Sequence, residues 1–181
     1  MNVPAGNGVA AFRIGLTEVT NAQYRECVNA GACSLPGTTT YYDDPSRANH
    51  PVVHVTRSQA QAYAAWAGGR LPMAAEWTRA CQGDDERMYP WGNWPPDDTR
   101  ANYGWIRGDM IEVGSFLMGA SPYGALDMLG NVWEWVDDGD YIIRGGAYHF
   151  TADSGVCSAQ PTTGSDAGNR YVGFRIAASA P

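Results

Sequence analysis

The chain has 181 residues, of which 44% are apolar and 17% charged, and this balance excludes a disordered tail. Its 12 basic residues, all arginine, stand against 19 acidic ones, and the net charge of −7 argues against a nucleic-acid-binding domain, which needs a basic surface. No apolar run approaches the roughly 20 residues of a membrane helix, and the N-terminus lacks the layout of a signal peptide. We therefore expect one soluble, acidic globular domain over residues 1–181. The sequence does not specify its cellular compartment.

The first third of the chain carries clear helix and strand signals. Residues 12–19 are rich in β-branched and apolar side chains, which predicts a strand. Thr20 then has the position of an N-cap for a helix that ends at Gly31. Residues 34–50 are dominated by turn-forming residues and are predicted to form a loop.

Two further helices are expected before the middle of the chain. The second has Thr56 or Ser58 as its N-cap and ends at the glycine pair 68–69. The third, shorter helix covers residues 73–83 and follows Pro72, which we place at its first turn.

The C-terminal half has no helical period, and glycine, proline, aspartate and tryptophan dominate it. We therefore predict short strands joined by long loops, and an α+β fold overall. The predicted strands are 113–116, 131–136, 141–148 and 171–177.

The four cysteines, Cys27, Cys33, Cys81 and Cys157, form no CxxC pair. Cys27 and Cys33 are close enough in sequence for a local disulfide, but geometry and not spacing decides whether it forms. The sequence is compatible with a Cys27–Cys33 disulfide and with two free thiols.

Several segments, taken in order, resemble those of the formylglycine-generating enzyme family. The resemblance extends from about residue 12 to 178 and implies a variant of the C-type lectin fold, with two main helices, small antiparallel sheets and long irregular loops. The matching segments are EVTNAQY (18–24), HPVVHVT (50–56), GGRLPMAAEW (68–77), YPWG (89–92), YGALDMLGNVWEW (123–135), RGGA (144–147) and GFRIA (173–177).

The resemblance also locates the two cysteines with which the oxidases of this family bind copper and the substrate thiol. In this chain those positions fall at about Phe150 and Gly155, neither of which has a thiol. Soft thiolate ligands are needed to hold Cu(I), so we expect no copper and no thiol oxidation. The nearby Cys157 is interpreted as structural.

A second enzymatic branch comprises iron-dependent sulfoxide synthases, which need an additional helical domain with a His/Glu metal site. That domain is not found in these 181 residues. His50 and His54 would lie on one face of a regular strand and are interpreted as a structural pair. Together with His149 they do not suggest an iron site, so no iron is expected.

A calcium site survives the comparison with the family. The resemblance implies that the side chains of Asp127 and Glu134 and the backbone carbonyls of Gly130 and Val132 bind a structural Ca²⁺ ion, which prefers six to eight hard oxygen ligands. The alternative is that the two carboxylates only accept hydrogen bonds from loop amides.

One branch of the family, the variable proteins of diversity-generating retroelements, is non-catalytic and varies between its RGG and GFR motifs. Variation at template adenines cannot produce Lys, Glu, Gln, Met or Trp, and within 148–172 only Gln160 falls outside the permitted set. This segment is rich in the small polar and aromatic residues of adaptable binding loops. The alternatives are a formylglycine-generating-type oxidoreductase or a catalytically dead accessory relative.

We therefore predict a non-catalytic, ligand-binding variable protein whose partner is a protein or a surface glycan, with no nucleic acid and no membrane insertion. Trp77, Trp133 and Trp135 are expected to be scaffold. The predicted binding residues are Tyr148, His149, Phe150, Thr151, Asp153, Ser154, Thr162, Thr163, Asp166, Asn169 and Tyr171.

Overall fold

The computed structural model describes residues 1–139, 141–151 and 155–180. Three α-helices precede most of the strands in the chain. The elements are β1 (Asn2–Val3), β2 (Phe12–Ile14), α1 (Asn21–Asn29), α2 (Arg57–Trp66), α3 (Ala74–Gln82), β3 (Trp133–Trp135), β4 (Ile143–Arg144), β5 (Val172–Phe174) and β6 (Ala177–Ser179).

The helix starts follow from local side-chain chemistry. Thr20 accepts a hydrogen bond from the Gln23 backbone nitrogen at 3.2 Å, and the Gln23 side chain accepts one from the Thr20 backbone at 3.0 Å. Thr56 and Gln59 form the same reciprocal capping box at the start of α2, at 3.0 and 2.9 Å. These pairs satisfy amide groups that a helix start leaves without partners, which confirms the two predicted starts.

The third helix differs in detail from the expectation. It has nine residues, as many as α1, so the domain has three helices of similar length and not two main ones. Its N-cap is Met73, so Pro72 precedes the helix and does not lie in its first turn.

Two three-stranded sheets form the scaffold, in the orders β1-β2-β6 and β4-β3-β5. The pairs β1–β2, β2–β6 and β3–β4 are antiparallel, but β5 pairs with β3 in parallel. The predicted antiparallel pairing is thus found in three of the four strand pairs described. The pair β3–β5 differs, because the chain after β4 makes a long excursion and returns on the other side of β3 in the same direction as β3.

The predicted strands are longer than those observed, and one is absent. Residues 113–116 form a turn and no strand, and only 12–14 of the range 12–19 are extended within a sheet. In the segment 50–56 a single bridge joins Pro51 to Thr20, and His54 has a φ of 60°. The regular strand that would place His50 and His54 on one face does not form.

One core cluster packs side chains of α1 and α2 against the β4-β3-β5 sheet, and its aromatic members include Tyr24, Tyr63 and Phe174. Trp77 and Trp135 are fully buried and Trp133 nearly so, as expected for scaffold residues. Two disulfides close the framework, Cys27–Cys33 and Cys81–Cys157. The first resolves the open question in favour of the bridge, and the second gives Cys157 its structural role. No helix in the described part of the chain is long and apolar enough to cross a membrane.

Candidate ligand-binding site

The segment between the RGG and GFR motifs is fixed at both ends by the β4-β3-β5 sheet. Past β4, the carbonyl of Gly145 accepts a hydrogen bond from the Gly130 backbone at 2.8 Å, and Tyr148 donates to the carbonyl of Asn131 at 3.0 Å. Gly145 has a φ of 92°, and a Cβ there would lie 3.2 Å from the Trp77 ring, so this position needs glycine. The frame on which the segment begins is therefore rigid.

Four of the predicted binding residues meet in one cleft. His149, Phe150, Asn169 and Tyr171 line an open depression of about 240 Å³, and the rings of His149 and Tyr171 lie 3.8 Å apart. None of these four side chains is fully buried. The remaining lining residues are Trp133, Ile143 and Val172. We call this set of seven residues the aromatic cleft.

The floor of the aromatic cleft belongs to the scaffold. Trp133 and Ile143 are contributed by β3 and β4 and are 3% and 6% exposed. The Trp133 and Phe150 rings meet edge to face with centroids 4.9 Å apart, an arrangement that orients the Phe150 ring. Trp133 is thus scaffold, as predicted, and also lines the site.

Tyr148 is the one described member of the predicted set that is fully buried. Its side chain packs in a small cluster with Val53, Met110 and Val132, and its hydroxyl accepts a hydrogen bond from Nη2 of Arg170 at 2.9 Å. The prediction of Tyr148 as a surface anchor is wrong, because its backbone pairs with Asn131 and its ring turns into the protein.

The remaining predicted residues do not line the cleft. Asp166 accepts hydrogen bonds from the Ser58 backbone nitrogen and hydroxyl at 3.1 and 2.6 Å, and so binds the first turn of α2. Thr162 forms a bridge with Ile142, and the Thr163 hydroxyl donates to a carbonyl of its own loop. Thr151 is exposed, while Asp153 and Ser154 lie outside the described residues.

Sequence reasoning missed several side chains that surround the cleft. Trp105 is 53% exposed, and its ring centroid lies 5.8 Å from that of His149. The guanidinium of Arg170 stands 5.3 Å from the Tyr171 ring centroid and 3.9 Å from a carboxylate oxygen of Asp109. Arg170 belongs to the 148–172 segment and could have been found there, whereas Trp105 comes from a loop with no detectable period.

The charge at the cleft is carried by Arg170. Burial, and then the positive charge of Arg170, lower the pKa of His149, and the same two causes lower the pKa of His54. Both imidazoles are therefore mainly neutral at pH 7. The site offers neutral aromatic faces beside one cation, an arrangement suited to binding.

The sequence pattern of the Sulfatase-modifying factor enzyme 1-like domain matches residues 4–180. This chain belongs to that family. The family and fold that the sequence motifs imply are therefore confirmed, over nearly the whole chain.

The relatives in this family include enzymes and a protein named as inactive. The chain is 37% identical over 158 residues to the hercynine oxygenase of Mycolicibacterium smegmatis, a match that covers 70% of this chain and 37% of the relative. It is 38% identical over 154 residues to the inactive C-alpha-formylglycine-generating enzyme 2 of Bos taurus, covering 72% and 50%. The chain therefore spans half or less of the length of these relatives.

Solved structures with the same fold include variable proteins. Treponema denticola variable protein 1 matches with a TM-score of 0.76 at 18% identity, covering 99% of this chain and 92% of the other. PvdO from Pseudomonas aeruginosa gives 0.75 at 23%, covering 94% and 81%. The Major Tropism Determinant P3c variant gives 0.58 at 13%, covering 93% and 50%. At these identities the likeness shows the C-type lectin-like fold alone.

The family's copper chemistry does not fit the residues present. Phe150 lines the aromatic cleft, and Gly155 is buried where a Cβ would lie 3.2 Å from Leu129, so neither position supplies a thiolate. All four cysteines are in disulfides. No group of three His, Cys, Asp or Glu side chains within residues 1–139, 141–151 and 155–180 is arranged to hold a metal ion.

The predicted calcium ligands are also engaged otherwise. Glu134 is fully buried, and its two carboxylate oxygens accept hydrogen bonds from Nε and Nη2 of Arg175 at 2.7 and 2.6 Å and from Nε1 of Trp77 at 2.7 Å. A calcium ion bound by Glu134 would therefore share this carboxylate with Arg175 and Trp77.

The second predicted carboxylate ligand, Asp127, lies in a buried group of three acidic side chains with Glu18 and Glu134. It accepts a hydrogen bond from the Gly114 backbone and interacts with Glu18. Burial is the main cause that raises the pKa of both Asp127 and Glu18, and their mutual proximity adds to the rise for Glu18. The backbone groups of Gly130 and Val132 remain candidates only, and calcium binding stays a prediction from the resemblance.

Proposed function

We propose that this domain is a non-catalytic binding protein whose ligand, a protein or a surface glycan, is bound at the aromatic cleft. The observation that carries the proposal is the meeting of His149, Phe150 and Tyr171, all incompletely buried, on a floor formed by Trp133 and Ile143. Aromatic side chains provide much contact area for little loss of conformational entropy, and they dominate the energy of many interfaces.

Within this proposal, the domain acts as a variable protein of a diversity-generating retroelement. Every cleft residue that the 148–172 segment contributes is of a type that adenine mutation can produce, whereas Trp133, of the floor, is not. A varied rim on a constant floor lets ligand specificity change without loss of the fold, because surface substitutions usually alter stability by less than about 0.5 kcal/mol.

The genetic part of the proposal is tested in the DNA around the coding sequence. We expect a reverse transcriptase gene and a near-copy of codons 144–175 whose differences fall at adenines. A locus without these two features would exclude the retroelement and leave the binding role to be judged separately.

The binding role is tested on the protein itself with a glycan array and a displayed protein library. The triple variant His149→Ala, Asn169→Ala, Tyr171→Ala removes the rim of the cleft, and we expect it to lose the ligand that the wild-type protein selects. Thr162→Ala, exposed and outside the cleft, is the matched control and should keep that ligand. Equal binding by the triple variant and the control would place the site elsewhere.

The enzymatic alternative has its own assay, because relatives at 35% and 37% identity are named as enzymes. The protein is incubated with a Cys-x-Pro-x-Arg peptide, copper and oxygen. We expect no aldehyde product, since the resemblance places the two catalytic cysteines at about Phe150 and Gly155, which have no thiol. Turnover above that of a metal-free control would contradict the non-catalytic assignment.

A further inference from the structure

The aromatic cleft is too small to enclose a whole ligand. Its volume of about 240 Å³ lies below the roughly 300–1,000 Å³ of sites that enclose a small molecule. A ligand of the binding role proposed above therefore places one group in the cleft and extends over its rim. The chemistry of the cleft and of its rim restricts which ligand fits.

The interior of the cleft favours an apolar group. Ile143, Phe150 and Val172 have no hydrogen-bonding group in their side chains. The amide oxygen of Asn169 already accepts a hydrogen bond from the Tyr171 backbone at 2.8 Å. A sugar has a hydroxyl group on most of its carbon atoms, and hydroxyl groups that lose water here would meet few partners, which costs free energy. A large apolar side chain gains free energy by the same transfer.

One cation, Arg170, stands beside the cleft. Its neighbours in the chain, Asn169 and Tyr171, both line the cleft, and its guanidinium carbon lies 5.3 Å from the centroid of the Tyr171 ring. The Arg170 side chain is 44% exposed. Its Nη2 donates to the Tyr148 hydroxyl at 2.9 Å, while Nε and Nη1 form no hydrogen bond within the described residues. The guanidinium therefore has both exposure and donors left for a ligand.

The nearest carboxylate, Asp109, is held mainly by other groups. Its closest oxygen lies 3.9 Å from Nη2 of Arg170, beyond hydrogen-bond length. The same carboxylate accepts hydrogen bonds from Nη2 of Arg47 at 2.8 Å and from the Met110 backbone at 2.9 Å. Burial lowers the pKa of His149, and Arg170 is the charged group that lowers it further. The electrostatic potential at His149 is therefore positive, on a chain whose net charge is −7.

A short stretch of peptide spans the distance from the cleft to Arg170. The Tyr171 ring lies between them, 3.8 Å from the His149 ring and 5.3 Å from the guanidinium carbon. Successive Cα atoms of a peptide are about 3.8 Å apart, and an extended peptide advances by about 3.3 Å per residue. An acidic residue within two positions of an apolar one can thus reach Arg170 while the apolar side chain occupies the cleft.

We propose that the aromatic cleft binds a peptide segment of a protein partner in which a large apolar side chain has Asp or Glu within two residues of it. The apolar side chain enters the cleft, and the carboxylate accepts hydrogen bonds from the guanidinium of Arg170. Such charge-assisted pairs add specificity as well as affinity. This inference rests on the binding role proposed above and selects a protein over a glycan as the ligand.

The experiment selects peptides from a phage-displayed random library on the immobilised wild-type protein, on Arg170→Gln and on Arg13→Gln. Arg13 is exposed and lies on β2, in the other sheet, so its variant removes the same charge away from the cleft. We expect the wild-type protein and Arg13→Gln to enrich peptides that combine Asp or Glu with a large apolar residue. Arg170→Gln should still enrich the apolar residue but lose the preference for the acidic one.

A double-mutant cycle measures the ion pair directly. The peptide most enriched by the wild-type protein is synthesised with its Asp or Glu and with the matching Asn or Gln. We expect the amide to weaken binding to the wild-type protein about fivefold, the upper range of an exposed ion pair, and to change the affinity for Arg170→Gln by less than about twofold. Added sodium chloride should weaken the acidic peptide more than the amide peptide, because salt screens the pair.

Failure of this inference and failure of the proposed binding role give different results. Selected peptides that bind the triple variant of the cleft rim as well as the wild-type protein would contradict the binding role itself. Peptides that need the cleft but show no preference for Asp or Glu, or keep that preference with Arg170→Gln, would overturn the role of Arg170 alone. A selection that yields no cleft-dependent peptide would overturn the choice of a protein ligand, and a glycan bound through the cleft would then take its place.

Discussion

Arg175 is fully buried and bound on all sides. Besides its two hydrogen bonds to Glu134, its Nη2 donates to the carbonyl of Leu126 at 2.9 Å, and its Nη1 reaches the carbonyls of Gly15 and Leu16. This one side chain therefore joins β3 and β5 to the loops after β2 and before β3. Such a buried pair holds the fold together only while both partners are present.

We predict that Arg175→Met lowers the free energy of unfolding by about 3–5 kcal/mol, because it leaves the Glu134 carboxylate buried without its cation. Urea denaturation measures the change. Arg170→Met, at a side chain 44% exposed, is the control and should cost less than about 1 kcal/mol. If both variants lost the same free energy of unfolding, the buried Arg175–Glu134 pair would stabilise the fold no more than an exposed arginine does.

The buried carboxyl group of Glu18 makes the stability of the fold depend on pH. Its pKa is raised well above the ordinary value, first by burial and then by Asp127 and Glu134. A raised pKa in the folded state means that the folded protein binds the proton more tightly than the unfolded chain does. The free energy of unfolding therefore falls as the pH rises from the pKa of the unfolded state through that of the folded state. The fold has the full benefit of protonated Glu18 only at pH values below the pKa of this group in the unfolded chain.

The variant Glu18→Gln mimics the protonated form at every pH. We predict that it melts at a temperature at least as high as the wild-type protein at pH 8, and that the difference shrinks towards pH 4. Its amide keeps an oxygen for the hydrogen bond from Nδ2 of Asn131. Melting curves of both proteins between pH 4 and 8 measure the effect. A melting temperature of Glu18→Gln that falls further below that of the wild-type protein at pH 8 than at pH 4 contradicts the prediction.

At the scale of single residues, the sequence predicted side-chain types better than side-chain directions. His149, Phe150, Asn169 and Tyr171 do meet in one cleft, because the two motifs that flank their segment fix its ends. The burial of Tyr148 could not be predicted, since it depends on a backbone hydrogen bond to Asn131, 17 residues away in the chain. Local composition does not encode such long-range pairings.

At the scale of elements, the starts of the first two helices were predictable, whereas the bounds of the strands and their pairing were not. The two capping boxes are local in sequence, so Thr20 and Thr56 mark the starts of α1 and α2 directly. The strands have only two or three residues, too short for an alternating pattern, and β5 pairs with β3 across 39 residues. The position of β5 on the far side of β3 is decided by tertiary packing alone.

The two disulfides connect these elements over very different distances. Cys27–Cys33 closes a loop within six residues, whereas Cys81–Cys157 joins α3 to the segment after β4 across 76 residues. A longer closed loop restricts the unfolded chain more.

We predict that the double variant Cys81→Ala, Cys157→Ala loses more unfolding free energy than Cys27→Ala, Cys33→Ala, with a loss on the order of 4 kcal/mol for the longer loop. All four sulfur atoms belong to buried residues, which makes the two variants comparable. Urea unfolding of both variants is the measurement. A larger loss from the short loop would show that packing and not chain restriction dominates.

At the scale of the whole molecule, the family resemblance predicted the fold correctly, and the calcium site that it implies stays a prediction. The motif LDMLGNVWEW is present, yet the Glu134 carboxylate it contains binds Arg175. Sequence motifs record which residues are present, whereas the partner of a carboxylate depends on which cation the fold places nearest.

Calcium binding is tested on the intact protein. A ligand that binds only the folded state stabilises it by about 2.7 kcal/mol at a hundredfold excess over its dissociation constant. The resemblance predicts a higher melting temperature in excess CaCl₂ than in EDTA, with no such rise in MgCl₂. An equal melting temperature in CaCl₂ and EDTA would remove the predicted site and leave the Glu134 oxygens to Arg175 and Trp77.

The order β4-β3-β5 means that the excursion between the RGG and GFR motifs leaves from one neighbour of β3 and returns to the other. Its ends are therefore held two strand spacings apart, roughly 10 Å, whatever the length of the chain between them. Doubling a flexible loop costs only about 0.6 kcal/mol in closure entropy. A Gly-Ser insertion after Gly164, where a Cβ would meet no atom within 4 Å, should thus lower stability by less than about 1 kcal/mol in urea unfolding. This scaffold can accept loops of new length as well as new sequence.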